Sequence, residues 1–234
     1  MESITNKMAT YRQYNNGGAC KLFWPCNEGS GDTLTDKVNG IVLTDTATAE
    51  HTEPHAVGFV SASLASVTGL DQVSIGATGA ALVCLKVGTS FALSDLKIGR
   101  VDIGVGLEMS GASTLLHLSS FGSVGGTCPG TAAAGDVMSV GMAWDSTSLF
   151  TYYGEDSDLS LVDTDAFGTL STTLPLNFTA NASVMNAVAS SIYGIAVWDF
   201  DSGVPSDVLT AFNWMKDHWT QGDKILYPGW KLLK

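Results

Sequence analysis

The sequence predicts an all-β fold, a two-sheet antiparallel sandwich with one short amphipathic helix near the C-terminus, and three observations lead there. Hydrophobic residues make up 45% of the 234 positions and charged residues 15%, ample apolar material for one large core. Gly, Ser, Thr, Val and Ala are abundant while Glu, Lys, Arg and Gln are scarce, a balance that favours short strands and tight turns. Apolar residues also alternate with polar or small ones over short runs, the period of half-buried antiparallel strands.

Taken in order, residues 1–18 are polar and read as an N-terminal arm outside the core. Strands are expected at Lys21–Trp24, Gly40–Thr44, Val57–Ser61 and Leu82–Val87. The clearest follows: in Val101–Met109, Val101, Ile103, Val105, Leu107 and Met109 point one way. Leu115–Ser119 is a further candidate. Met138–Trp144 then places Met138, Val140, Met142 and Trp144 on one face and Ser139, Gly141 and Ala143 on the other. Asp145–Ser148 supplies turn residues, and Leu149–Tyr153 returns as the second arm of a hairpin. Leu174–Phe178 and Ile192–Trp198 complete the strands.

The helical period falls in Pro205–Trp219. Val208, Phe212, Met215 and Trp219 recur at steps of four, three and four, which puts them on one face. Pro205 suits a first turn, Asp207 complements the positive end of the dipole and Gly222 offers a stop. The sandwich is therefore expected over residues 19–221, helix 205–219 included, with 222–234 as a C-terminal tail.

A net charge of −12 and the absence of a basic stripe argue against nucleic acid as a partner. No apolar run reaches the length of a membrane span, so no membrane insertion is expected. Met1–Gln13 lacks the apolar core of a signal peptide, which points to a chain folded in a cytoplasm. Cys20, Cys26, Cys84 and Cys128 show no zinc-ribbon spacing and read as free thiols.

Three stretches resemble the concanavalin A-like lectin/glucanase superfamily in its laminin G-like branch. Leu22–Leu34 (LFWPCNEGSGDTL) resembles the branch's opening strand and its Gly-rich turn, with Asn27, Glu28, Gly29, Ser30, Gly31 and Asp36. Val137–Gly154 resembles the family hairpin, in which a Trp-Asp turn leads into a strand bearing Tyr. Ile192–Phe212 resembles the last strand and the short helix after it. The resemblance implies a jelly-roll sandwich. The tail Gly222–Lys234 is similar to the C-termini of laminin G-like proteins encoded by tailed bacteriophages. That likeness implies a viral structural protein of the virion: a capsid decoration, tail or fibre component, folded in the host cytoplasm without a signal peptide. Its partners would be other virion proteins, copies of itself and a cell-surface glycan. A free-standing carbohydrate-binding lectin and a glycoside hydrolase remain as alternatives.

The candidate residues follow. Glucanases of this superfamily carry a Glu-x-Asp-x-(x)-Glu run, because retaining glycosidases need two carboxylates about 5 Å apart. No such run exists here, so the chain is expected not to be an enzyme; Glu108 and Glu155 are the first positions to substitute if it is one. No Gly-x-Ser-x-Gly elbow is present, and Pro54 between His51 and His55 makes HTEPH a surface loop rather than a zinc site. No cofactor is expected beyond calcium, which needs several hard oxygen ligands from loops; Asp145, Asp156 and Asp158 are the candidates. Tyr153 is expected to be exposed and to form a ligand-binding site with Glu155, Asp156 and Asp158, since sugars stack on aromatic faces beside polar groups. Tyr11 and Tyr14 of the arm and Tyr227 and Trp230 of the tail are the expected assembly contacts.

Overall fold

Alternation sets the strands of the computed structural model, which describes residues 19–24, 33–45, 49–53, 56–59, 64–68, 73–86, 96–100, 104–110, 113–117, 135–166, 173–180 and 191–220. In chain order the strands are β1 Ala19–Trp24, β2 Thr33–Thr35, β3 Val42–Asp45, β4 Ala49–Glu53, β5 Ala56–Phe59, β6 Leu64–Thr68, β7 Ser74–Ile75 and β8 Gly79–Lys86. They continue as β9 Leu96–Arg100, β10 Gly104–Ser110, β11 Ser113–His117, β12 Val137–Trp144, β13 Ser148–Glu155, β14 Ser160–Ala166, β15 Leu174–Ala180 and β16 Ser191–Asp199. One helix, α1, spans Val208–Thr220.

The pairing is antiparallel throughout, as expected for a jelly-roll sandwich. The larger sheet runs β14-β13-β12-β8-β16-β5-β4, with β1 alongside β16 beyond the short β5 pairing. A second sheet runs β11-β10-β9-β15-β7 and a small third one β2-β3-β6. The second sheet brings β9 and β10 against β8 and β12, while α1 lies against β8, β12 and β16.

Register explains why both faces of the larger sheet are buried along its central strands β13, β12, β8 and β16. One face carries cross-strand rows such as Tyr153–Val140–Val83–Ile195–Trp24 and Thr151–Met142–Ala81–Val197–Leu22, all buried and turned toward the sandwich core. The opposite face carries Tyr152–Gly141–Leu82–Ala196–Phe23 and, one row on, Gly154–Ser139–Cys84–Gly194. Its centre is paved with Gly, Ala, Ser and Cys, which leaves a shallow trough.

The stripe of α1 fills that trough, and Val208, Phe212, Met215 and Trp219 are all buried there. A Cβ on Gly141 would come within 2.5 Å of the Phe212 ring, and one on Gly194 would land inside the Trp219 indole. Phe212 also meets Tyr152 edge-on at 5.5 Å, and Trp219 stacks on Phe23 at 6.0 Å. Large residues on the helix thus meet missing side chains on the sheet, the complementarity that a close-packed interior needs.

Several expectations need correction. The helix begins at Val208 rather than Pro205: Asp207 precedes it, and its carbonyl accepts the Ala211 N–H at 3.0 Å. His51 lies on β4, not in a loop. Strand β14, which carries Asp163 and Asp165, was not among the expected strands; an edge strand with solvent beside it tolerates such charge. Strands β2, β4, β6, β7 and β9 were not expected; three of them are five residues long and the others shorter, too short to show a period. The arm 1–18, the tail 222–234 and the Gly-rich turn residues Asn27–Gly31 lie outside the described residues.

Candidate functional site

Hairpin β12–β13 positions most of the expected site residues, and it sends them to opposite ends. At the tight end, Asp145 Oδ1 accepts the backbone N–H groups of Thr147 and Ser148, both at 2.8 Å, closing the Trp-Asp turn by an Asx mechanism. At the other end, Asp156 takes a positive φ of 49° and exchanges two bonds with Val137: its N–H donates to the Val137 carbonyl and its carboxylate accepts the Val137 N–H, both at 2.9 Å. Asp is among the few residues that adopt this conformation readily.

Tyr153 is not exposed. It retains 5% of its surface because it stands opposite Val140 in the row of Val83 and Ile195, on the core face. Its hydroxyl emerges at the sheet end and donates to Glu155 Oε2 at 2.7 Å. The two residues share a strand face, so a buried ring fixes the orientation of a carboxylate nearer solvent.

Asp158 is exposed and tied to α1. Its Oδ1 receives Lys216 Nζ at 2.6 Å, while Lys216 also reaches Asp217 at 3.0 Å. Asn213 completes the clamp by accepting the Leu159 N–H at 2.6 Å and donating to the Leu159 carbonyl at 3.2 Å. Burial by itself would lower the Lys216 pKa, but the hydrogen bonds that its ammonium donates to Asp158 and Asp217 outweigh it and the net direction is upward. Sequence reasoning missed Asn213 and Lys216, since a partner 54 or 58 positions away leaves no local signal.

The structure therefore brings together Tyr153, Glu155, Asp156 and Asp158 and leaves Asp145 apart. At about 3.4 Å per residue, β13 puts about 25 Å between Asp145 and the other two calcium candidates. These three carboxylates do not fit one ion. Among the described residues no group of three or more His, Cys, Asp or Glu converges as metal ligands do. Tyr11, Tyr14, Tyr227 and Trp230 lie outside the described residues, and so do Cys26 and Cys128.

Cys84 is a free thiol. Cys84 is fully buried beneath α1 and accepts a hydrogen bond from the Ser139 hydroxyl at 3.2 Å. Burial pushes its pKa from 9.0 up to about 12. Below pH 9 both folded and unfolded chains hold the thiol proton, so stability is unaffected. Between pH 9 and 12 the unfolded chain loses the proton first and folding is penalised. Stability should then fall with rising pH, by up to about 1.4 kcal/mol per unit. Urea titrations of wild type and Cys84→Ala from pH 8 to 11 check this; parallel curves would contradict it.

The sequence matches no protein-family model and no curated protein. Solved structures do match. A Trypanosoma rangeli sialidase in complex with the inhibitor DANA aligns at 9% identity with a TM-score of 0.52, over 82% of this chain and 32% of the sialidase. A structure of botulinum neurotoxin type C, whose cell entry depends on interaction with two ganglioside molecules, aligns at 10% identity with a TM-score of 0.50, over 84% of this chain and 51% of the other. Peanut lectin aligns at 14% identity with a TM-score of 0.41, over 80% of this chain and 94% of the lectin. The chain thus spans about a third of the sialidase and half of the toxin structure. What is shared at these identities is the fold, a β-sandwich.

These likenesses overturn the expectation that the chain is not an enzyme. A sialidase shares the fold, and the missing Glu-x-Asp-x-(x)-Glu run excludes one arrangement of carboxylates, not turnover as such.

Proposed function

We propose that this chain is a recognition module of a bacteriophage virion that holds cell-surface glycans at the open end of its β12–β13 hairpin. The observation that carries the reading is the sandwich in which both faces of the larger sheet's central strands are covered, one by the second sheet and one by α1. Contacts are then left to loop ends and strand edges. Glu155, Asp156 and Asp158 there offer carboxylate oxygens to sugar hydroxyls, and charge-assisted bonds of that kind are the stronger ones. Tyr153 orients Glu155. The residues that resemble laminin G-like phage proteins support the virion setting, with Tyr11, Tyr14, Tyr227 and Trp230 docking on neighbouring copies or other virion proteins.

A glycan array probed with the full chain tests the reading. Binding to a restricted set of glycans is expected, and Glu155→Gln with Asp158→Asn should weaken it at least tenfold, about 1.4 kcal/mol. Retention of no glycan would overturn it. The same glycans, followed for cleavage by mass spectrometry, report turnover directly.

A further inference from the structure

We propose that β14, the open edge of the larger sheet, receives the end of the basic C-terminal segment Lys224–Lys234 of a neighbouring copy, with Trp230–Lys234 as an added strand. The inference rests on the reading above that the tail makes contacts between copies, and it names the receiving surface.

Strand β14 ends its sheet: β13 pairs with one side of it, and no described strand pairs with the other. Such an edge presents a row of backbone N–H and C=O groups ready for a further strand. Ser160, Leu161, Thr164 and Ala166 are exposed, and Leu161 keeps half its surface, unusual for a large apolar residue here.

Charge selects the occupant. From Ser148 to Ala166 the chain carries Glu155, Asp156, Asp158, Asp163 and Asp165 and no Lys or Arg. Asp163 and Asp165 are two apart on one strand face; burial first and then the Asp163 charge push the Asp165 carboxyl upward, a repulsion that a cation would relieve. In a chain of net charge −12, the segment KILYPGWKLLK holds Lys224, Lys231 and Lys234 and no acid.

The two-residue periods also match. A bulge at Val162 leaves Leu161 opposite Tyr152 on the helix side, while Asp163 lies opposite Thr151 on the core side. In an extended Trp230–Lys234, Trp230 and Leu232 share one face and Lys231 takes the other. Leu161 can therefore meet the apolar face while Lys231 meets the two aspartates. Pro228 falls outside this run, where its missing N–H does no harm. A neighbouring copy is the donor because α1 runs from Phe212 over Gly141 of β12 to Trp219 over Gly194 of β16, so its C-terminal end points away from β14.

Hydrogen–deuterium exchange of the full chain, read at Leu161–Ala166 over a concentration series, tests this alongside the oligomeric mass. Wild type should protect these amides increasingly with concentration. Asp163→Lys/Asp165→Lys should abolish that protection, Lys231→Glu/Lys234→Glu should do the same, and the combined charge swap should restore it. The tail-side pair alters none of the described residues, so it remains informative should the β14 pair fail to fold. If the tail-side pair lowers the oligomeric mass while β14 exchange never changes, the tail does join copies but not at this edge, and the proposal falls alone. If neither mass nor exchange responds, the proposal and the contact reading behind it both fall. Protection independent of concentration overturns the assignment to a neighbouring copy.

Discussion

Replacing Gly194 with alanine should destabilise the protein by about 3 kcal/mol, because a Cβ there falls inside the Trp219 indole. Neither partner can yield easily. Gly194 sits mid-strand in β16, paired with Cys84 across β8, so the backbone is held. Trp219 is wedged between that strand and Phe23 and is almost wholly buried. Trp219→Ala alone should cost about 3–5 kcal/mol by removing the ring and leaving a cavity. In the double variant the new methyl enters the space that the indole vacated, so the two effects should be strongly less than additive. A coupling of at least about 2 kcal/mol in a urea double-mutant cycle is the expected result. Additive losses would mean that helix and sheet do not meet as described. Among the described residues the indole N–H has no hydrogen-bond partner, so the ring acts here through shape, and Trp219→Phe should be the milder change.

That interface also shows what the sequence makes legible. Strands β12, β13 and β16 and the α1 stripe follow from periodicity, because a two-residue or 3.6-residue repeat is a local property. The small residues Ser139, Gly141 and Ala143 were visible as one face of β12, yet nothing local says that this face carries a helix. The trough exists only once register aligns Gly141 with Leu82 and Ser139 with Cys84. Strand β14 was hidden for a different reason: Asp163 and Asp165 have low strand propensity, and only an open edge accommodates them.

The candidate site was legible to a smaller degree. Tyr153, Glu155, Asp156 and Asp158 do gather, since neighbours in sequence at a hairpin end must. The exposure of Tyr153 was misjudged because phase depends on which face of the sheet is the core, and here both faces are buried. Asp145 resembled its acidic neighbours in composition and lies a full strand away. Asp158 owes its position to Lys216, a contact that folding creates across 58 residues.

Asp36 is the second large effect and the clearest case in which a residue of the family-like motif is structural. Only 1% of its surface is accessible. Its Oδ1 accepts the Phe23 N–H at 2.6 Å and the Val38 N–H at 3.1 Å, and its Oδ2 accepts the Asn39 N–H at 2.6 Å. The carboxylate thereby fastens the turn over residues 36–41 to β1, where Lys37 N–H also donates to the Phe23 carbonyl. Asp36→Ala leaves three donors without acceptors. The Phe23 N–H is buried and carries the full penalty, whereas water can reach those of Val38 and Asn39 in part. A total of about 3 kcal/mol is expected, a fall of about 10 °C in Tm for a chain of this size. Asp36→Asn keeps Oδ1 in place but turns an NH2 toward the Asn39 N–H, two donors face to face, and should cost about half as much. Calorimetry of the two variants orders them: an alanine variant within about 1 kcal/mol of wild type, or an asparagine variant worse than alanine, would sink this account of the turn.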